Sequence, residues 1–246
     1  MKIAIISGND FDKITGVSLV DEIFQDTPWG ETSSSIKILK INNIEIFFLS
    51  RHGVPHRIPP HKINYRANIW ALNKIDVKKI ISINTVGGIT KLMSPNEIIV
   101  PNQIIDYTFG RQSTYHEDNL TNVKHIDFTN PYTESLRKEL INSAKNVKLN
   151  IHTKGTYGVT QGPRLETAAE ISKLENDGCN IVGMTGLPEA SLAREIDIDY
   201  ASCCLVVNWA AGKSIEPINT KIMKENLASG IEDIMLLLSD FIIANH

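Results

Sequence analysis

Three short apolar runs, each broken off by a polar or glycine-bearing cluster, limit the folds open to this chain more than any other feature. The clusters are Thr160-Gln-Gly-Pro-Arg-Leu-Glu-Thr167, Gly183-Met-Thr-Gly-Leu-Pro-Glu189 and Val207-Asn-Trp-Ala-Ala-Gly212. The runs before them, residues 156–160, 180–182 and 200–207, have the length and apolar character of short buried strands. Helical patterns alternate with them, which points to an α/β sheet. Open α/β sheets bind ligands just beyond strand ends. One pocket is therefore expected, lined by Leu165, Glu166, Met184, Thr185 and Asn208.

The rest of the chain fits one domain spanning residues 1–246. Residues 3–6 read as a first buried strand, running into the turn Ser7-Gly-Asn-Asp10. Residues 35–40 and 44–50 read as two strands around Asn42-Asn43, followed by Arg51-His-Gly53 and a proline-rich segment that cannot be helical. A helix is expected over 64–72, with Ile69, Leu72 and Ile75 on one face. Residues 79–83 form another strand, and Asn84-Thr-Val-Gly-Gly88 reads as a turn with exposed amides. Short strands follow at 98–101 and 103–107. Residues 109–127 are long, polar and irregular, as functional loops often are. Further helices are expected from Thr129-Asn-Pro-Tyr132 to about 144, over 166–176, over 188–195 and over 221–243, the last with a stripe of Ile231, Ile234, Leu238 and Phe241.

Several function classes recede at this stage. The net charge of −3 supplies no field that would gather nucleic acid or an anionic membrane. No apolar run is long enough to span a bilayer. Cys179, Cys203 and Cys204 make a poor disulfide set, and Cys203 and Cys204 fall in an expected buried strand, where thiols are inert. The N-terminus lacks a signal peptide, so a cytoplasmic location is expected. His52, His56 and His61 sit on a proline-broken loop without a nearby acidic or cysteine partner, which favours loop and pocket histidines over zinc. Gly212-Lys-Ser214 has Val207 where a phosphate loop needs its first glycine.

An ordered set of segments carries a family resemblance along nearly the whole chain. They are Arg51-His-Gly53, Asn64-Tyr65, Asn84 to Gly88, Asp106-Tyr-Thr108, His125 to Pro131, Gly162-Pro-Arg-Leu-Glu-Thr167, Gly183-Met-Thr185, Pro188-Glu-Ala190 and Asn208. The chain resembles the trimeric purine nucleoside phosphorylases, in the branch that includes the methylthioadenosine and methylthioinosine phosphorylases. The resemblance implies a mixed central β-sheet flanked by helices, a homotrimer, inorganic phosphate as co-substrate without other cofactor or metal, and a place in purine salvage. It implies phosphate contacts from Arg51, from the backbone at Thr85 and from Thr185, with His52 beside them. Met184 would lie under the ribose, and Leu165 would pack on the base. Glu166 and Asn208 would read the purine. His125, from a neighbouring subunit, would reach the 5′ end, with Ile218 and Ile222 as apolar walls or core residues.

These roles agree with the chemistry. As the glycosidic bond breaks, the sugar becomes cation-like and the purine gains negative charge. An arginine can hold phosphate bidentately, and Asn208 can donate to N7 or O6 where charge accumulates. Glu166 can accept from the N1–H of a 6-oxopurine. Adenine-specific relatives place Asp at the positions of Asn208 and Ala210, so both residues here favour hypoxanthine or guanine nucleosides. On the residues alone, Glu166 is equally readable as a cap of its helix. One departure concerns the first phosphate loop. Asn9 can donate to phosphate, but Asp10 brings a like charge, which at an effective dielectric of about 20 and a separation of ~4 Å costs about 4 kcal/mol. S-methyl-5′-thioinosine is the expected substrate. The alternatives are methylthioadenosine and, in another class, a nucleoside-binding protein without turnover.

Overall fold

Continuous apolar runs make strands buried on both faces, and apolar stripes of period 3.6 make helices that cover them. In the computed structural model, which describes residues 1–8, 16–117 and 123–246, the first half runs β1 (Ile3–Ser7), β2 (Val17–Ile23), β3 (Ile36–Ile41), β4 (Ile44–Ser50), α1 (Tyr65–Lys74), β5 (Lys79–Gly88), β6 (Ile98–Ile99) and β7 (Gln103–Asp106). The second half runs α2 (Glu134–Asn146), β8 (Thr156–Val159), α3 (Ala168–Asn176), β9 (Ile181–Gly183), α4 (Gly186–Glu195), β10 (Asp199–Trp209) and α5 (Thr220–Ala244).

The strands form one mixed sheet, as the resemblance implied. Its main order is β2-β3-β4-β1-β5-β9-β8-β7, with β10 on β5 and β6 on β10. β4, β1, β5 and β10 are parallel neighbours. The β2–β3–β4 ribbon and the β5–β9 pair are antiparallel. Residues alternate between two cores, as period 2 requires. Ala4, Ile6, Ile80, Cys204 and Val206 face one cluster, which Ile69 and Leu72 of α1 and Ala190 and Ala193 of α4 complete. Ile3, Ile5, Ile81, Cys203 and Leu205 face the other, closed by Leu136 and Leu140 of α2 and Ile234, Leu238 and Phe241 of α5. Both cysteines of β10 are fully buried, and burial pushes the Cys204 thiol up to about 12, so neither is a nucleophile at neutral pH.

Several elements differ from the sequence expectation. β2 is an edge strand, exposed along its central residues, so it has no apolar face to betray it. Residues 84–88 are not a turn. They continue β5, and Gly88 is needed there because a Cβ would lie 1.7 Å from the Met93 carbonyl oxygen. α2 begins at Glu134 with Thr133 at its N-cap, three residues after Pro131. α3 begins at Ala168 with a capping box in which Thr167 and Glu170 exchange hydrogen bonds. Glu166 therefore precedes the cap and plays no part in it. Asn42 and Asn43 do form the expected turn, both at positive φ.

Candidate functional site

A gap in the sheet creates the site. Along one edge of β5, pairing with β1 ends at Ser7 opposite Ile83, and pairing with β9 begins at Val182 opposite Gly87. Among the described residues, Asn84, Thr85 and Val86 have no partner strand on that side. Their other edge stays paired with Cys204, Leu205 and Val206 of β10. Thr85 is the one exposed residue in an otherwise buried strand. The cavity over this gap is lined by Gly8, Arg51, His52, Thr85, Leu165, Glu166, Met184, Thr185, Asn208, Ala210, Ile218 and Met223, among others. The polar clusters at the ends of three strands and the Arg51-His52 pair after β4 thus converge on one space, as the sequence predicts.

One end of the cavity is a buried polar network. Arg51 and Glu189 are 1% and 0% exposed and form a bidentate pair, Nε to Oε2 at 2.7 Å and Nη2 to Oε1 at 2.8 Å. Arg51 Nη2 also donates to Ser82 Oγ at 2.6 Å, and Nη1 to the Ile83 carbonyl at 3.3 Å. Tyr200 and Ser82 hydroxyls donate to Glu189 Oε1 at 2.9 and 2.7 Å. The fork that the sequence suggested for phosphate is therefore committed to Glu189, leaving one Nη1 proton. Burial works against the Arg51 charge, but the Glu189 carboxylate outweighs it and holds the guanidinium above its usual range.

His52 stands beside this pair and is uncharged. Its Nδ1 lies 2.7 Å from the Ile58 carbonyl, which can only accept, so Nδ1 carries the proton and Nε2 the lone pair. Burial, aided by the Arg51 charge and His56, lowers its pKa to about 4 against that hydrogen bond. His56 stacks on it at 4.2 Å with its own Nδ1 3.0 Å from the Gly8 carbonyl oxygen. Among the described residues, no cluster of three metal-ligating side chains forms. Thr185 Oγ1 donates to Asn84 Oδ1 at 2.8 Å, and Asn84 Nδ2 donates to Ser202 Oγ at 2.6 Å. This end of the cavity is thus a neutralised ion pair ringed by hydrogen-bonded hydroxyls and amides, with one unused Arg51 proton and little net positive charge.

The other end carries the second set. Glu166 Oε1 accepts from the Thr160 hydroxyl at 2.5 Å, which leaves Oε2 open. Asn208 follows a bulge in β10, where the register against β5 shifts between Val206 and Asn208. Its Nδ2 donates to the Trp209 carbonyl at 2.7 Å, fixing the amide orientation and leaving one N–H. Ala210 lines the cavity with no polar group. Met184 lies against Gly162, whose φ is +62° and where a Cβ would come within 2.4 Å of the Met184 sulfur.

Not every predicted residue is here. Asn9, like Asp10, lies outside the described residues. Ile222 does not line the cavity and is 44% exposed. Met223 lines it instead, because the inward face of α5 carries Met223, Leu227 and Ile231, about 100° away from Ile222. Ile218 does line the cavity. His125 is exposed and outside the cavity of its own chain. Thr160 and Glu189 fall in the polar clusters, but the sequence assigns them no role there, and it gives no sign of Ser82 at all, since Glu189 meets Arg51 and Ser82 only through the fold.

Comparison with known proteins gives the family. Residues 2–243 match the model of the Phosphorylase superfamily. The chain is 45% identical over 242 residues to a probable S-methyl-5′-thioinosine phosphorylase of Pseudomonas syringae pv. tomato, covering 98% of each chain. It is 40% identical to the 6-oxopurine nucleoside phosphorylase of Pyrococcus furiosus, covering 96% of this chain and 90% of that one. Among solved structures, methylthioadenosine phosphorylase from Schistosoma mansoni in complex with adenine superposes with a TM-score of 0.92 at 30% identity, covering 99% of this chain and 91% of that one.

Proposed function

The chain belongs to the phosphorylase superfamily, and we propose that it is a phosphate-dependent purine nucleoside phosphorylase that takes 6-oxopurine nucleosides, S-methyl-5′-thioinosine above all. The observation that carries this reading is the single cavity that joins Arg51, Thr85 and Thr185 to Glu166 and Asn208.

Phosphate sits over the unpaired stretch of β5 and meets Thr85 and the remaining Arg51 proton, with the Thr185 hydroxyl turning from Asn84 to donate to it. His52, with Nε2 free to accept, suits the hydrogen of monohydrogen phosphate. A phosphate oxygen attacks C1′ as the C1′–N9 bond breaks and its electron pair passes to the purine. The proton of monohydrogen phosphate balances the departing base. Glu166 Oε2 accepts from N1–H. The free N–H of Asn208 donates to N7 or O6, where charge grows only as the bond breaks, so it lowers the barrier more than it tightens ground-state binding. Holding phosphate in line with the sugar supplies much of the remaining rate.

Selectivity follows from the base end. A 6-amino group needs an acceptor, yet Ala210 has none, and Asn208 could present Oδ1 in place of Nδ2 only by giving up the bond to the Trp209 carbonyl that orients its amide. A buried mismatch there costs ~1–3 kcal/mol per unpaired group. At the 5′ end Ile218 and Met223 are apolar, which suits a methylthio group better than a hydroxyl. A homotrimer in which His125 of a neighbouring copy closes the 5′ pocket completes the reading. A cytoplasmic place in purine salvage, with no cofactor beyond inorganic phosphate, goes with it.

The test is a panel of S-methyl-5′-thioinosine, S-methyl-5′-thioadenosine, inosine, guanosine and adenosine, each with and without phosphate. Phosphate-dependent release of hypoxanthine, fastest from the methylthio substrate, is expected. Release of adenine alone would overturn the base assignment. Equal or faster turnover of inosine would overturn the 5′ assignment. Tight binding without cleavage would make the chain a binding protein.

A further inference from the structure

The irregular segment after β7 contributes one side chain that reaches across two halves of the site. Arg111 Nη1 donates to the carbonyls of Met184 at 2.8 Å and Leu187 at 2.7 Å. Its Nη2 donates to the carbonyls of Thr160 at 3.2 Å and Gln161 at 2.9 Å, and its Nε to Gln161 Oε1 at 3.1 Å. The guanidinium also packs over the Tyr65 ring, 5.5 Å from its centroid. It has no carboxylate partner among the hydrogen bonds described, so backbone carbonyls solvate its charge.

Those carbonyls belong to the two segments that carry the substrate contacts. Thr160 and Gln161 begin the loop that ends in Leu165 and Glu166, and Thr160 itself holds Glu166 through its hydroxyl at 2.5 Å. Met184 lines the cavity, and Thr185 follows it. The two segments are last joined directly where Thr160 N donates to the Gly183 carbonyl at 2.8 Å. Beyond that bond the two are held by the packing of Met184 on Gly162 and by Arg111, which bridges their carbonyls. A planar fork suits four carbonyls on two sides; a lysine ammonium is a point donor and does not.

We propose that Arg111 is a positioning residue that sets the base-reading loop of Glu166 in register with the sugar contact at Met184, with Thr160 as the second link of the same device. The inference rests on the phosphorylase reading and deepens it. It requires that loss of Arg111 weaken nucleoside recognition more than phosphate recognition, because Arg51 and Thr85 stand on other elements and only Thr185, between the tethered Met184 and Leu187, is shared.

The experiment compares wild type with Arg111→Ala, Arg111→Lys and Thr160→Val, measuring KM for S-methyl-5′-thioinosine and for phosphate separately, with and without added guanidinium. Since a misplacement of about 1 Å can cost on the order of 100-fold, Arg111→Ala and Arg111→Lys should raise the nucleoside KM by about tenfold or more, with the phosphate KM rising several-fold less. Guanidinium should restore Arg111→Ala and leave Arg111→Lys unrestored. Thr160→Val, which keeps side-chain shape, should raise the nucleoside KM and narrow the preference for inosine-type over adenosine-type bases. An equal rise in both KM values, a fall in kcat alone, or full activity in Arg111→Lys would overturn the proposal. If Arg111→Ala fails to fold, unchanged base preference and KM in Thr160→Val would still overturn it. An inactive wild type would instead reject the phosphorylase reading.

Discussion

Glu189→Gln removes the charge that faces Arg51 and leaves every atom position nearly unchanged. Glu189 is 0% exposed and accepts from Arg51, Ser82 and Tyr200. Removing one partner of such a buried pair costs about 3–5 kcal/mol, because the surviving charge stays buried without compensation. For a chain of this size each kcal/mol lowers Tm by ~2–4 °C, so the midpoint should fall by roughly 6–20 °C. Phosphate should offset more of that loss than it does in wild type, since the Arg51 charge, no longer neutralised by Glu189, is left to attract an anion through its unused Nη1 proton. If phosphate binds tenfold more tightly to the variant, the added stabilisation at saturating phosphate is about 1.4 kcal/mol, or roughly 3–6 °C. The assay is thermal unfolding of both proteins across a phosphate titration. A variant that melts with wild type, or whose phosphate-induced shift is no larger, would refute the coupling of Arg51 to Glu189 and to the anion.

Three further outcomes are expected. His52 is held neutral in the fold, with a pKa lowered to about 4, so the unfolded chain takes up its proton first as pH falls. Its contribution to stability is complete above about pH 6.5 and is lost towards pH 4 with a slope of at most ~1.4 kcal/mol per unit. His52→Asn, whose amide can still donate to Ile58, should flatten that part of a stability–pH curve measured by denaturant unfolding, and an unchanged slope would contradict the assignment. Asn208→Asp replaces a donor by an acceptor and should shift kcat/KM towards adenine nucleosides, whereas an unchanged base preference would remove Asn208 from the base site. Gly162→Ala, at φ +62° and against the Met184 sulfur, should raise the nucleoside KM and cost about 1–2 kcal/mol of stability, and a silent variant would contradict the packing of Met184.

The parts of the site that lie on single strand ends were legible in the sequence, because polar residues there interrupt an apolar run. Leu165, Glu166, Met184, Thr185 and Asn208 were all found that way, and all line the cavity. What depends on strand pairing was not legible. The gap that exposes Thr85 exists because β1 and β9 meet different parts of one edge of β5, and the glycines of 84–88 suggested a turn instead. The bulge that precedes Asn208 is likewise a property of register. Glu189 meets Arg51 across 138 residues, and no local spacing points to that partner. The Ile222 expectation failed by one helical position, where 100° of rotation exchanges an exposed face for a lining one.

Phosphorus-31 NMR of the enzyme turning over S-methyl-5′-thioinosine tests the shared cavity most directly, because it follows the nucleophile itself. A sugar 1-phosphate resonance should grow as inorganic phosphate declines, in one-to-one step with released hypoxanthine. Hypoxanthine accumulating while inorganic phosphate stays constant would mean that water attacks C1′, and the phosphate end assigned to Arg51, Thr85 and Thr185 would be wrong.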